Sequence, residues 1–466
     1  MTNRRNFIKT SISAAGLAGL YASSPLFAAN GKRPNIMWIF AEDICPDLSC
    51  YGVPGVQTPN IDRLASEGIR YENAFTTAPV CSAARSAMMT GCHQNFIGAN
   101  QHRTREKKPL PHGVKPFTVI LQEAGYYTFV QGKNDLNFTH AELSSGKDVR
   151  QRKPGQPFFW QKTFHATHRS FHREYDDSRL DKVEIPPYYP DLPLVRRDWG
   201  NYLKTIEDMD KEVGEFLDWM ESEGLTENTM IIFLGDHGRC MPRAKQFLYD
   251  GGLHIPLIIR LPNGKDAGRV DKKLASSIDL TATVLAAAGI DKPDWMHGRD
   301  LFDDSLAPRE YVFAARDKMD DTHDAMRAVR STDFKYIHNL MPERAWCQLN
   351  KYKERKYPVL ALLNVMHMKG ELTPEQDRFM QPRKPEEELF DLRNDPYEMH
   401  NLADDPKYAD IKKRLRGKLD QWRQRIGDKG VSEEFRKGGW SADYPTRTLE
   451  EWESKLKEWK NYLFKN

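Results

Sequence analysis

Short apolar runs alternate with amphipathic segments over roughly the first 300 residues. Asn35–Ala41 is apolar and is followed by Glu42-Asp43, which is typical of a buried parallel strand with acidic side chains beyond its carboxyl end. Thr58–Gly68 starts at a capping residue and ends at glycine, which predicts a helix. Further strands are predicted at 127–131, 157–163, 230–234 and 256–261, and further helices at 118–124, 199–223 and 279–288. This alternation predicts an α/β fold with a mostly parallel central sheet flanked by helices.

The pattern changes beyond residue 304, where antiparallel strands are expected. Residues 325–330 and 334–337 flank Ser331-Thr332-Asp333 like the arms of a hairpin, and a further strand at 388–392 precedes a helix at 411–426. We therefore expect a larger domain at 30–304 and a smaller α+β domain at 305–466 that contains an antiparallel sheet. The apolar residues of 449–463 share one helical face, which we expect to dock on the protein's own body.

The charge of the chain is concentrated at its N-terminus. The 466 residues carry a net charge of +3, and Arg4, Arg5 and Lys9 lie in a stretch without acids, so the remainder is balanced. Balance of this kind excludes a generally basic nucleic-acid binder. Residues 1–29 resemble a twin-arginine export signal, since small and apolar residues follow the arginine pair. We expect a periplasmic or extracellular protein whose mature chain has no integral membrane segment.

The motif Cys81–Arg85 (CSAAR), followed by Thr90-Gly91, is the strongest chemical signal in the chain. It resembles the Cys-x-Pro/Ala-x-Arg signature of type I sulfatases, which belong to the alkaline phosphatase-like superfamily. The family's cysteine is oxidised to formylglycine, so the resemblance implies a formylglycine-generating or sulfatase-maturing enzyme as partner. It also implies a sulfated carbohydrate as substrate, residues 30–304 as the catalytic domain, and Arg85 as the group that stabilises the aldehyde hydrate.

The aldehyde hydrate gives a physical reason for this modification. A thiol or hydroxyl nucleophile would form a covalent sulfo-enzyme whose release requires water to attack sulfur. With a hydrate, one hydroxyl attacks sulfur, and the other, once deprotonated, expels sulfate as the aldehyde re-forms. Turnover then needs no second displacement at sulfur.

Acidic residues after two predicted strands match the family's metal ligands. The resemblance assigns Glu42, Asp43, Cys81, Asp236 and His237 to one divalent cation, and oxygen ligands favour calcium. The family's usual Asp-Asp is replaced by Glu-Asp, and its usual Asp-Asn by Asp-His. The longer glutamate either binds with a different denticity or lies outside the ligand shell. The imidazole is a softer ligand than an oxygen atom, which weakens the preference for calcium over other divalent ions.

Other positions match residues that handle sulfate and the leaving group. The resemblance assigns Lys133 to a sulfate oxygen, whereas Asp135 replaces a histidine and would repel sulfate unless a cation were near. His165 matches the histidine that faces the leaving oxygen, where a general acid active near neutral pH is needed. Lys245 is the expected second sulfate-binding lysine, with Arg243 as the alternative.

Substrate choice is carried by loops, and several functions stay open. His168 is a candidate substrate contact, while Arg316-Asp317 and His323-Asp324 either reach sugar hydroxyls or form a solvated loop. Segment 389–398 resembles the closing part of the sulfatase C-terminal domain. Segments 167–169 and 336–340 are similar to the heparan N-sulfatase branch, so an N-sulfoglucosamine sulfohydrolase (sulfamidase) is one alternative. A phosphomonoester or phosphonate hydrolase of the same superfamily is another. A non-enzymatic binder of sulfated glycans is the third, although such a module has no need of Cys81.

Overall fold

The computed structural model describes residues 32–348, 350–433, 435 and 447–464, so the predicted export segment 1–29 lies outside the described residues. Its first strands are β1 (Asn35–Ala41), β2 (Ile69–Phe75), β3 (Lys108–Pro109), β4 (Tyr127–Gln131), β5 (Phe138–Thr139), β6 (Phe158–Phe164), β7 (Thr229–Gly235), β8 (Leu257–Arg260) and β9 (Arg269–Ser276). The helices among them are α1 (Pro59–Ser66), α2 (Cys81–Thr90), α3 (Phe117–Glu123), α4 (Pro193–Ser222), α5 (Asp250–Leu253) and α6 (Asp279–Ala287).

Seven of these strands form one sheet in the order β4-β6-β1-β7-β8-β2-β9. The strands β4, β6, β1 and β7 are mutually parallel, and β2 is parallel to β9. Only β8 runs antiparallel to its neighbours in this sheet. The mostly parallel sheet predicted from the sequence is therefore confirmed.

Helices cover both faces of the sheet. Met37 and Ile39 of β1 join a core that contains Val213 of α4, whereas Trp38 joins a second core that contains Leu121 of α3. Both faces of β1 are thus buried, which is why its sequence is a continuous apolar run rather than an alternating one.

A second, antiparallel sheet follows. Its strands, in spatial order, are β10 (Val312–Arg316), β11 (Met326–Arg330), β12 (Phe334–Asn339) and β13 (Glu387–Asp391). The later helices are α7 (Lys351–Lys356), α8 (Pro358–Lys369), α9 (Pro374–Asp377), α10 (Ala409–Arg425) and α11 (Leu449–Phe464). The predicted hairpin corresponds to β11 and β12, which pair around the turn at Ser331.

The terminal helix α11 packs on the protein itself. Trp452, Leu456 and Leu463 are buried, and the helix contacts α8 and α4. In the described part of the chain no helix is long and apolar enough to cross a membrane.

Four elements in particular differ from the expectation. Helix α4 begins at Pro193, six residues before the predicted start, because proline is favourable in a first helical turn. Strands β2 and β9 were not predicted, since charged residues interrupt both of their sequences. Helix α2 was also missed, because all ten of its residues are buried and leave no amphipathic pattern.

Candidate active site

The candidate active site lies at the carboxyl edge of the parallel strands. Ala41 is in register with Phe164 on one side and with Gly235 on the other, so β1, β6 and β7 end side by side. The residues that follow these ends, Glu42-Asp43, His165 and Asp236-His237, are therefore brought together. Ligands of open α/β sheets bind at such an edge.

Cys81 is the first residue of α2 and is buried. The extended backbone of Val80 leads into the helix, which ends at Gly91 in the left-handed conformation with a φ of 66°. The Cys81 sulfur lies 3.1 Å from His237 Nε2 and 3.7 Å from the Lys245 ammonium. The cysteine of the sequence motif is thus inside the cluster at the sheet edge.

Asp43, Cys81, Asp236 and His237 form a compact, buried group whose ligand atoms lie within 4.8 Å of one another. One Asp236 oxygen accepts hydrogen bonds from the backbone N–H groups of Asp43 and His237, both at 3.0 Å. The Asp43 carboxylate lies 2.9 Å from His237 Nε2. Two carboxylates, an imidazole and a cysteine make a donor set that fits a divalent cation.

The electrostatics of this group also fit a cation. Burial opposes protonation of His237, but the negative charges of Asp236, Cys81 and Asp43 outweigh it and raise the pKa to about 10. Burial would raise the pKa of Asp43, yet the positive charges of Lys245 and His237 hold it well below its ordinary value. The cluster therefore carries an excess of negative charge, which a divalent cation bound by the neutral imidazole would balance in place of the proton.

Glu42 is adjacent to the four-residue group but is not a member of it. Its carboxylate lies 2.8 Å from Lys133 Nζ, 3.3 Å from Arg85 Nη2 and 3.3 Å from His165 Nδ1. Of the two possibilities for this glutamate, the geometry favours the place outside the ligand shell, because its longer side chain reaches three nitrogen groups.

Arg85 ties the acidic residues together. Its Nε donates to Asp236 at 3.0 Å, and its Nη1 donates to the Lys133 backbone carbonyl at 2.9 Å. With its bond to Glu42, the buried guanidinium connects three strand ends. The structure thus places Arg85 among the metal-side carboxylates.

The groups expected to meet the substrate differ in their exposure to solvent. His165 has an exposed fraction of 54%, and its Nδ1 lies 3.3 Å from Glu42. His168 is partly exposed and lies 3.9 Å from Asp43. Lys245 is buried and lies 2.8 Å from Asp43, whereas Arg243 turns away and donates to the Tyr397 carbonyl at 3.0 Å. The structure therefore places Lys245 rather than Arg243 beside Cys81.

Asp135 has a cationic partner that the sequence did not reveal. Arg103 contacts its carboxylate through two hydrogen bonds of 3.0 and 2.8 Å, and Lys133 lies 3.7 Å away. Burial would raise the pKa of Asp135, but these cations lower it. The carboxylate is neutralised in place, which removes the expected repulsion of sulfate.

Arg316, Asp317 and His323 do not line the opening, so their expected contact with a sugar is not supported. Arg316 is buried beside Asp324 at 3.4 Å, and Asp317 is buried beside Arg327 at 3.0 Å. His323 is also buried and bonds the Phe435 carbonyl. Buried charges require partners inside the protein, and Arg316 and Asp317 are committed to such pairs.

The same loop contributes Asp320 instead, a residue that the sequence did not single out. Its carboxylate accepts a hydrogen bond of 2.7 Å from Gln246 and lies 3.4 Å from His102 Nε2. His102 in turn bonds Ser82, the residue after the cysteine, at 2.9 Å. No local motif marks Asp320, since its partners come from distant parts of the chain.

Comparison with known proteins agrees with this geometry. The family model described as Sulfatase matches residues 34–143 and 138–290, and the model for the C-terminal region of N-sulphoglucosamine sulphohydrolase matches 235–358. An ulvan-active sulfatase of Formosa agariphila is 35% identical over 85% of this chain and 76% of its own length. Human N-sulphoglucosamine sulphohydrolase is 25% identical over 86% of this chain and 92% of its own length.

Two solved structures share the fold. A protein in complex with its substrate D-glucosamine-2-N,6-O-disulfate has a TM-score of 0.64 at 18% identity and covers 87% of this chain and 100% of its own. The phosphonate monoester hydrolase of Agrobacterium radiobacter has a TM-score of 0.60 at 18% identity and covers 84% of this chain and 96% of its own. At this level of identity the two structures are evidence for the fold alone.

Proposed function

The chain belongs to the sulfatase family and is a sulfuric ester hydrolase, and we propose that it removes sulfate from a sugar chain through Cys81 matured to formylglycine. The observation that carries the proposal is the position of the Cys81 sulfur. It lies 3.1 Å from His237, 3.8 Å from Asp43 and 3.7 Å from Lys245, inside the buried group. A nucleophile for an anionic substrate needs cationic groups at this range.

The residues around Cys81 divide the chemical work. One hydroxyl of the aldehyde hydrate attacks sulfur while the bond from sulfur to the sugar oxygen breaks, and the second hydroxyl, once deprotonated, releases sulfate. Lys245 and Lys133, on either side of the carboxylates, bind the sulfate oxygens. Arg85 holds Glu42 and Asp236 in position through bonds of 3.3 and 3.0 Å.

His165 is proposed to protonate the departing sugar oxygen. Its Nδ1 is engaged by Glu42 at 3.3 Å, so the carboxylate orients the ring and Nε2 is left to face the substrate. A sugar alkoxide is a poor leaving group, and a positioned general acid is worth about 10²- to 10⁴-fold in rate.

We propose one calcium ion as cofactor, held by Asp43, Asp236, His237 and the matured Cys81. When bound, such an ion supplies positive charge that balances the sulfate oxygens and lowers the cost of bringing two anions together. Asp43 and Asp236 supply the negative charge, and Glu42 lies outside the ligand set because its oxygens contact Lys133, Arg85 and His165.

The substrate that we propose is a sulfated polysaccharide of the ulvan kind. The relative described as ulvan-active is 35% identical to this chain, whereas the relative described as N-sulphoglucosamine sulphohydrolase is 25% identical. We further propose that residues 1–29 direct export, and that a formylglycine-generating or sulfatase-maturing enzyme modifies Cys81.

A desulfation screen tests the proposal. Matured enzyme is incubated with ulvan oligosaccharides, N-sulfoglucosamine and a phosphonate monoester, and released sulfate, phosphonate or alcohol is quantified. We expect sulfate release from ulvan oligosaccharides to exceed the other two reactions. Faster cleavage of N-sulfoglucosamine would favour the sulfamidase alternative, and faster cleavage of the phosphonate would contradict the proposal.

A further inference from the structure

A cavity of about 730 Å³ starts at His165 and lies between strands β4 and β6 and helix α4. Phe164 and four further aromatic side chains line it. Phe129 stacks on Trp160 with ring centres 5.7 Å apart, Trp160 meets Phe216 at 5.0 Å, and Phe216 stacks on Trp219 at 5.9 Å. The volume lies within the range of about 300–1,000 Å³ that is typical of ligand pockets.

Trp160 and Phe216 belong to the buried core, whereas the two outer rings are accessible. Phe129 and Trp219 are partly exposed and face the cavity, while Trp160 is fixed by a hydrogen bond of 3.1 Å from its Nε1 to Gln131. Flat apolar faces open to solvent on one side are suited to the C–H faces of a sugar ring. If Phe129 and Trp219 served only to fill the protein interior, their rings would be fully buried.

A few polar groups stand among the rings. Lys162 is half-buried in the cavity, and within the described residues its ammonium has no hydrogen bond or ion pair but lies over the Phe216 ring at 4.9 Å and the Phe164 ring at 5.3 Å. Glu212 of α4 is exposed at the rim. An ammonium donor and a carboxylate acceptor beside aromatic faces provide hydrogen-bonding groups for sugar hydroxyls.

We propose that this cavity binds the sugar unit next to the one that loses sulfate, on the leaving-group side of the substrate. The inference rests on the proposed function, because that function places His165 at the leaving oxygen. His165 borders both the catalytic group and the cavity. When the departing oxygen of one sugar faces His165, the next sugar of the chain therefore lies towards Trp219 and Lys162. The enzyme would prefer chains to single sulfated sugars.

Binding in the Cys81→Ala background tests the cavity without turnover. Sulfated disaccharides and tetrasaccharides of ulvan and of heparan sulfate are titrated by calorimetry into this protein. The same titrations are made after adding Trp219→Ala or Lys162→Met. Trp219→Phe keeps a ring, and Lys211→Met removes an exposed ammonium on α4 outside the cavity lining, so these two are the matched controls.

We expect the tetrasaccharide of at least one polymer to bind about tenfold more tightly than the disaccharide of the same polymer. Trp219→Ala and Lys162→Met should each lose this difference in affinity, and the two control variants should keep it. A length advantage that survives both test variants, or no length advantage for either polymer, overturns the inference. If Trp219-dependent binding is found but the matured enzyme releases no sulfate, the proposed function fails and the cavity stands only as a sugar-binding site. If sulfate is released but tetrasaccharide binding does not depend on Trp219, the subsite fails and the proposed function stands.

Discussion

Replacing His165 by alanine separates a general acid from a structural histidine. The side chain has an exposed fraction of 54%, and its ion-pair partner is Glu42 at 3.3 Å. Truncation therefore opens no buried cavity, and the free energy of unfolding should change by no more than about 0.5 kcal/mol. Activity on sugar sulfates should nevertheless fall by roughly 10²- to 10⁴-fold, since the alkoxide then leaves without a proton.

The assay compares two leaving groups. An aryl sulfate whose phenol leaves without protonation should lose much less activity than a sugar sulfate in the same variant. His172→Ala is the matched control, because His172 has an exposed fraction of 52% and also pairs with a carboxylate, Asp208 at 2.5 Å. We expect this control to retain activity on both substrates.

Equal losses on both substrates in His165→Ala would refute the assignment. A fall in the melting temperature that accompanies equal losses would indicate a structural role instead. In that case His168, which is partly exposed and 3.9 Å from Asp43, is the next residue to test in the same way.

Three further predictions follow from the geometry. Cys81→Ala should abolish sulfate release while circular dichroism and the melting temperature stay close to those of the unmodified chain, because the smaller side chain leaves little empty space; substantial remaining activity would contradict the mechanism. Asp43→Asn and Asp236→Asn should each weaken calcium binding measured by calorimetry, since one anionic ligand is lost, and two zinc ions per chain by elemental analysis would instead favour the phosphatase alternative. Lys353→Met should stabilise the protein below pH 7, because burial, reinforced by the charge of Arg316, lowers the pKa of the lysine to about 7. The parent protein should therefore gain stability as the pH rises from about 7 to the ordinary lysine pKa of about 10.4, and the variant should not. Denaturant melts that show no such pH difference between variant and parent would refute this prediction.

The sequence was sufficient to predict the parallel sheet and the residues at its edge. A strand that is buried on both faces, such as β1, has a continuous apolar sequence. Polar residues directly after such strands lie at the same edge of the sheet when the strands are parallel. That is why Asp43, His165 and Asp236 can be grouped from the sequence without any measured distance. The reasoning requires only local patterns and the rule that parallel strands share a direction.

Contacts between distant loops could not be predicted in this way. Arg103 reaches Asp135 and Gln246 reaches Asp320 across separations of 32 and 74 residues, and neither pair has a motif. The position of Glu42 depends on which nitrogen groups surround its oxygens. Arg316 and Asp317 look like exposed loop residues in the sequence, but the antiparallel sheet buries them in ion pairs.

The most direct test of the central claim is the mass of the tryptic peptide Tyr71–Arg85, which contains Cys81. The protein is produced together with a formylglycine-generating enzyme, and the peptide is measured beside the same peptide from cells that lack the enzyme. We expect a peptide that is lighter by the mass difference between a thiol and an aldehyde side chain, and we expect the converted fraction of the peptide to be proportional to sulfate release. Full activity in protein whose Cys81 peptide retains the mass of the unmodified thiol would contradict it.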